Sequence, residues 1–165
     1  SDVGAVRLGL AGEAAVRQAV LELGAVAAGL DSAAAVRGLL IEPMAPPGVE
    51  LIVGAVRDPV FGAAVLVGLG GVLAEVLDDV AVRLAPLTPS EASRAIDALR
   101  GSALLRGARG RPPAAVDQLA TLVARLGSVL DERPDIEQID LNPVIVSAHA
   151  AIAVDALIVA ADVPG

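Results

Sequence analysis

Two segments near the C-terminal end mirror each other about a single point. Residues 138–146 read Gln-Ile-Asp-Leu-Asn-Pro-Val-Ile-Val, and residues 151–157 read Ala-Ile-Ala-Val-Asp-Ala-Leu. Positions 142 and 155 lie equally far from the pair Ala148-His149, so a two-residue turn there sets Asn142 opposite Asp155. Such a hairpin commits this part of the chain to an antiparallel sheet. Directly opposed Cβ atoms lie about 4.5–5.5 Å apart, near enough for both side-chain oxygens to reach one small cation. Strand alternation puts Asp140 on the face of Asn142 and predicts an apolar opposite face of Leu141, Pro143 and Ile145 against Val154 and Ile152. Two carboxylates and a carboxamide in that array suit Mg²⁺, which takes oxygen ligands and shares them with substrate phosphates. The same residues also make an ordinary solvated hairpin face, since Asp and Asn are common beside turns. Pro143 cannot donate to a ladder and marks an edge or a bulge.

The 165 residues suffice for one domain, or a large piece of one, with a real core. Hydrophobic residues make up 55% of the chain, much of it Ala and Val, with Phe61 the one aromatic side chain. Small side chains let backbones approach closely, which suits a layered structure of helices on a sheet. The longest uncharged run, residues 59–74, holds four glycines and a proline. It is shorter than the roughly 17–25 residues of a membrane helix, and it predicts a buried strand and a loop. No membrane partner is expected. The net charge of −8 excludes a nucleic-acid face, and only Arg106, Arg109 and Arg111 approach a basic cluster. With no cysteine, disulfides and thiol chemistry are excluded. Ser1-Asp2-Val3-Gly4 lacks the charged start and apolar stretch of a secretory signal, so a cytoplasmic location is expected. All twelve basic residues are arginines, so no lysine of this chain can contact a phosphate.

Periodicity predicts a short strand at residues 5–10 and a helix from Glu13 to about Ala28, with Gly29 as its stop. Residues 38–42 read as a buried-type strand, broken by the Pro43–Gly48 run. Further strands are expected at 49–57, 63–67 and 80–84. Thr88-Pro89-Ser90-Glu91 is a helix start, with a hydroxyl cap, proline in the first turn and Glu three residues after the cap. That helix runs to about Leu99; an irregular loop over 100–113, a helix over 114–131 and the closing hairpin follow. The order predicts an α+β fold with a largely antiparallel mixed sheet, packed helices and a C-terminal β-hairpin.

Several strings taken in order resemble one family. They are Ile41-Glu42-Pro43-Met44, Gly48-Val49-Glu50-Leu51-Ile52-Val53-Gly54, Arg57-Asp58-Pro59-Val60-Phe61-Gly62, Val67-Gly68-Leu69-Gly70-Gly71, Glu75-Val76-Leu77-Asp78-Asp79-Val80, Leu84-Ala85-Pro86-Leu87 and Asp140-Leu141-Asn142-Pro143-Val144. Together they resemble the ATP-grasp portion of ADP-forming acyl-CoA synthetases, relatives of the succinyl-CoA ligase β subunit. The resemblance covers essentially the whole chain. It implies that ATP or ADP binds with Mg²⁺ held by Asn142 and Asp155. Backbone groups of Glu42, Pro43 and Met44 would run along the adenine, and Glu50 would accept from the ribose hydroxyls, although an exposed strand carboxylate is its plain alternative. Asp140 stands where relatives carry a Glu that helps hold a phosphohistidine, and so is the catalytic candidate.

The Gly68–Gly71 loop is neither a Walker-type loop nor a dinucleotide fingerprint. It either brings Gly70 and Gly71 against a phosphate or the phosphohistidine, or is simply a turn. Glu75 reads as a supporting carboxylate or part of a solvated acidic turn. Arg106 and Arg109 read as phosphate or partner contacts, or as a solvated loop. His149 reads as a surface residue. The implied reaction interconverts acyl-CoA, phosphate and ADP with acid, CoA and ATP, and the implied partner is a CoA-binding and ligase domain or subunit carrying the phosphohistidine.

The resemblance further implies that residues 1–165 are an ATP-grasp subdomain without the family's first lobe, its His-Lys pair and its CoA-binding and ligase domains. Alone, such a subdomain is expected to be inactive and to bind nucleotide weakly. Two other readings stay open: a non-catalytic ligase-like regulatory module fused to an acyltransferase, and a structural interface domain.

Overall fold

A computed structural model describes residues 4–29, 37–71, 79–107 and 112–161. The chain divides into two compact units, Ser1–Met44 and Ala45–Gly165. In the first, α1 (Gly12–Ala28) ends against Gly29, whose N–H donates to the Ala25 and Val26 carbonyls. Arg7 pairs with Glu22 of this helix at 3.3 Å. The strands expected at residues 5–10 and 38–42 are not formed; both segments are irregular and exposed. A strand-like composition becomes a strand only where a neighbour takes its backbone N–H and C=O groups. Among the described residues no neighbour does so here.

The second unit is a six-stranded sheet with helices on one face. β1 (Val49–Asp58), β2 (Gly62–Leu69) and β3 (Val80–Leu84) are followed by α2 (Pro89–Asp97), a 3₁₀ turn (Ser102–Arg106) and α3 (Val116–Glu132). β4 (Ile136–Val146), β5 (Ala151–Ala153) and β6 (Ala156–Ala160) close the chain. The sheet order is β3-β2-β1-β4-β5, with β6 also on β4, and every pairing is antiparallel. The strands expected at 49–57, 63–67 and 80–84 and both later helices are therefore present.

Alternation sorts the two faces. Leu51, Val53 and Ala55 of β1 and Ala63, Val65 and Val67 of β2 are buried against α2 and α3. α3 supplies Leu119, Val123, Leu126 and Leu130 from one side of its helix, the spacing of an amphipathic stripe. Gly127 lets this helix come down on the sheet: a Cβ there would meet Leu87 Cδ2 at 2.8 Å and Val65 Cγ2 at 3.0 Å. α2 begins with the expected capping box. Thr88 Oγ1 accepts from the Glu91 N–H at 3.3 Å, and Glu91 Oε2 accepts from the Thr88 N–H at 2.8 Å.

Candidate functional site

The sheet face away from the helices is open. It carries Glu50, Ile52 and Gly54 of β1 and, across β2, the exposed Val80, Val82 and Leu84 of β3. The candidate polar side chains enter this face at two places, beside a bulge in β4 and at the end of the β1–β2 ladder.

The first lies in the closing hairpin. Pairings Val146↔Ala151, Ile145↔Ile152 and Val144↔Ala153 continue, beyond a gap, as Leu141↔Ala156 and Asp140↔Leu157. All share the centre at Ala148-His149, so Asn142 and Asp155 fall at matching counts within the gap, where the Val154 N–H donates to the Pro143 carbonyl at 2.9 Å. The two-residue turn is closed by the Ser147 N–H on the Ala150 carbonyl at 2.9 Å, and Ser147 Oγ accepts from the His149 and Ala150 N–H groups. His149 is exposed, as expected of a surface residue.

The expected apolar face of Leu141, Pro143 and Ile145 is corrected. Against β1 the register runs Val53↔Leu141 and then Leu51↔Val144, so two steps on β1 span three on β4. One extra residue at Asn142-Pro143 is a β-bulge, and it flips the alternation beyond it. Val144 and Val146 are buried in place of Pro143 and Ile145. The bulge keeps Asn142 exposed while Leu141 before it and Val144 after it both face the core.

The second place is the end of the β1–β2 ladder. Gly70 lies opposite Glu50 and its N–H donates to the Glu50 carbonyl at 2.8 Å. Gly71 follows at φ +61°, and a Cβ built there would lie 2.7 Å from Glu50 Oε2. Glu50 is two residues from Ile52 on the same strand face, and Ile52 lies against the bulge. The fold thus gathers Glu50, Gly70, Gly71, Asp140 and Asn142 on one sheet face, with Asp155 in the gap between the β5 and β6 pairings.

These side chains are chemically uncommitted. Among the described residues, Glu50, Asp140 and Asn142 accept or donate no side-chain hydrogen bond and join no ion pair. Among the described residues, Asp155 Oδ1 accepts only from the N–H of Ala156, at 2.8 Å. No three His, Asp or Glu side chains among the described residues converge on one point. The donor set available to a cation is thus one carboxamide and one carboxylate, with Asp140 nearby. That set fits Mg²⁺, which keeps several waters and takes one or two carboxylates plus substrate phosphates.

Glu42, Pro43 and Met44 belong to the first unit, exposed on irregular backbone. Glu75 and Arg109 lie outside the described residues. Arg106 forms an ion pair with Asp97 at 2.7 Å and borders a shallow cavity of about 440 Å³ at the start of α3, lined also by Leu105, Pro113, Asp117 and Gln118. Apart from Arg106, that cavity carries none of the candidate residues.

Two conspicuous sequence features prove to be structural. The Arg57 guanidinium donates to the carbonyls of Leu130, Arg133 and Ile136, closing the C-terminal end of α3. Asp58 Oδ1 accepts from the N–H groups of Val60 and Phe61 at 2.8 Å each. The Phe61 and Val60 N–H groups hold the Asp58 carboxyl below its ordinary value of 3.8. Asp79 is buried and accepts from the N–H groups of Arg100 and Gly101 at 2.8 Å each. Nothing in the acidic run around it set Asp79 apart, because its partners come from a turn more than twenty residues away.

Comparison with known proteins supplies the context. The ATP-grasp domain family matches residues 1–160. The β subunit of acetate–CoA ligase (ADP-forming) I from Pyrococcus furiosus is 38% identical over 156 residues, covering 94% of this chain and 67% of that subunit. Acetate–CoA ligase (ADP-forming) I of Archaeoglobus fulgidus is 38% identical over 155 residues, covering 94% of this chain and 22% of that protein. The chain thus spans about two thirds of the one relative and about a fifth of the other. Two structures of the Ca. Korarchaeum cryptofilum dinucleotide forming acetyl-coenzyme A synthetase 1 superpose with TM-scores of 0.91 and 0.84 at 39% and 38% identity. Each covers 97% of this chain and 70% of that one. The first is a complex with coenzyme A, Ca-AMPCP and HgCl⁺; the second holds coenzyme A and Mg-AMPPCP with a phosphohistidine segment pointing towards the nucleotide site.

Proposed function

We propose, on the premise that this chain belongs to the ATP-grasp domain family, that it forms the nucleotide- and Mg²⁺-binding part of an ADP-forming acyl-CoA synthetase. The single observation that carries the reading is the set of unpartnered polar side chains on the open face, Glu50, Asp140 and Asn142, with Asp155 in the gap between the β5 and β6 pairings. Glu50 and Asn142 are exposed, so water answers them in the free protein and a ligand can take the place of that water.

In this reading ADP or ATP lies along the open face. Glu50 accepts from the ribose hydroxyls. Gly70 and Gly71 lie beside the bound nucleotide. Asn142 and Asp155 hold Mg²⁺, which when bound neutralises charge on the phosphate oxygens. The need is acute here, because the chain has no lysine and its net charge is −8. Asp140 accepts from the ring N–H of a phosphohistidine presented by the partner domain or subunit that carries the CoA-binding and ligase functions. It thereby fixes the ring while the phosphoryl group passes to ADP.

The reaction of the assembled protein is acyl-CoA, phosphate and ADP to acid, CoA and ATP, and its reverse. The work of this chain within it is positioning and electrostatics, the main demands of phosphoryl transfer. The relatives' subunit-split and fused forms both support a partner carrying the remaining chemistry. No helix among the described residues is long and apolar enough to cross a membrane.

The test is calorimetric titration of MgADP and MgATP into the full-length protein and its Asn142→Ala/Asp155→Ala variant. Mg²⁺-dependent binding by the first and its loss in the second is the expected result. Equal binding by both would overturn the assignment of the metal ligands, and no binding by either would overturn the nucleotide role.

A further inference from the structure

We propose that Gly71 is a positioning residue for Glu50: its missing side chain is the seat on which the Glu50 carboxylate rests, and this sets selectivity for a nucleotide with free ribose hydroxyls. The inference rests on the reading of Glu50 as the ribose acceptor. It assigns the glycine-rich turn a task other than cradling phosphate.

The geometry is local. The β1–β2 register ends at Leu51↔Leu69, and the next opposed pair is Glu50 and Gly70, joined by the Gly70 N–H on the Glu50 carbonyl. A Cβ on Gly70 would come within 3.1 Å of the Glu50 carbonyl carbon and 3.2 Å of the Leu51 carbonyl carbon. The turn therefore lies flat against the start of β1. Gly71 then takes φ +61°, a region that L side chains rarely adopt. Its vacant Cβ position lies 2.7 Å from Glu50 Oε2 and 3.6 Å from Glu50 Cδ. A methyl group and the carboxylate cannot both occupy that space.

No polar partner competes for the carboxylate. Among the described residues it forms no hydrogen bond or ion pair, so the conformation it takes depends on the space that Gly71 leaves open. A Glu side chain free to explore its rotamers would lose that freedom on binding, which weakens the interaction. Gly71 keeps open the rotamer that brings the carboxylate to this space, which a Cβ would close, and leaves its acceptor capacity free for a pair of hydroxyls. A site built to hydrogen-bond a hydroxyl rejects the analogue that lacks it, provided the acceptor is held in place.

The experiment compares ADP with 2′,3′-dideoxy-ADP, each with Mg²⁺, by calorimetry on the full-length protein and on Gly71→Ala, Glu50→Ala and the double variant. Gly71→Asn accompanies them, because Asn tolerates a left-handed backbone while still placing a Cβ against the carboxylate. The expected result is that Gly71→Ala and Gly71→Asn each weaken ADP roughly tenfold, the scale of a hydrogen bond to a charged group, and leave dideoxy-ADP within about twofold. In the Glu50→Ala background, Gly71→Ala should then change ADP affinity by less than about twofold, because the two residues act through one interaction. Equal weakening of ADP and dideoxy-ADP, additive with Glu50→Ala, would overturn the proposal in favour of a phosphate contact or a general loss of fold. If Glu50→Ala itself leaves the ratio of the two affinities unchanged, the ribose assignment fails and the proposal falls with it. That outcome is distinct from the first, because it is read from Glu50 alone.

Discussion

The β1–β2 hairpin has two ends, and they treat their polar groups in opposite ways. At the turn, Asp58 is engaged by two backbone N–H groups and Arg57 by three backbone carbonyls. At the other end, Glu50 meets a glycine and no polar partner among the described residues, and neighbouring Asp140 and Asn142 are equally unengaged. Both ends resemble the same family at the level of sequence strings, so resemblance alone could not separate them. Hydrogen-bond bookkeeping does. A polar side chain answered from within holds the fold together, whereas an exposed one without an internal partner is hydrated and can exchange that water for a ligand.

The contrast makes predictions that can break it. The largest effect is expected from Asn142→Ala/Asp155→Ala, which should weaken MgADP by about a hundredfold or more, some 2.7 kcal/mol. Its stability in urea should stay within about 0.5 kcal/mol of the parent, as for exposed residues outside a network. A large stability loss would show that the open end is integrated into the fold as the turn end is. Arg57→Ala should do the reverse. It leaves carbonyls at the end of α3 without donors and should cost about 2 kcal/mol in chemical denaturation, with MgADP affinity changed by less than about twofold.

Smaller again is Thr88→Ala, which removes half of the capping box of α2 and should cost about 1 kcal/mol in the same assay. The smallest effect is a pH dependence at the turn. The Asp58 carboxyl is held below 3.8 by the Phe61 and Val60 N–H groups, so the unfolded chain takes up this proton first as pH falls. The contribution of Asp58 is therefore complete above about pH 4 and disappears as pH drops through the lowered folded-state value. Melting curves of the parent and Asp58→Asn should differ above that range and converge below it.

Local pattern made much of the second unit legible before any coordinates. The capping box at Thr88–Glu91, the apolar stripe of α3, three strands and the hairpin centre at Ala148-His149 all depend on residues close in sequence. The matching counts of Asn142 and Asp155 about that centre were legible for the same reason, since a two-residue turn dictates the register of the pairs on either side of them. The strands read at 5–10 and 38–42 failed because a strand needs a partner, and nothing within those segments says whether one exists. The roles of Arg57 and Asp79 were hidden because their partners lie far along the chain.

What the sequence determined by itself is thus most elements of the second unit, the register about the hairpin turn and the family, all of which rest on short-range periodicity and ordered motifs. Only tertiary structure decided which face each residue beyond the bulge presents. The extra residue at Asn142-Pro143 is counted against β1, a strand some ninety positions earlier, and cannot be seen from β4 alone. Tertiary structure also decided that Glu50 lies over Gly71, twenty-one residues on. The physical reason is common to both: short-range pattern follows backbone geometry, whereas long-range contact follows from which surfaces can be buried together.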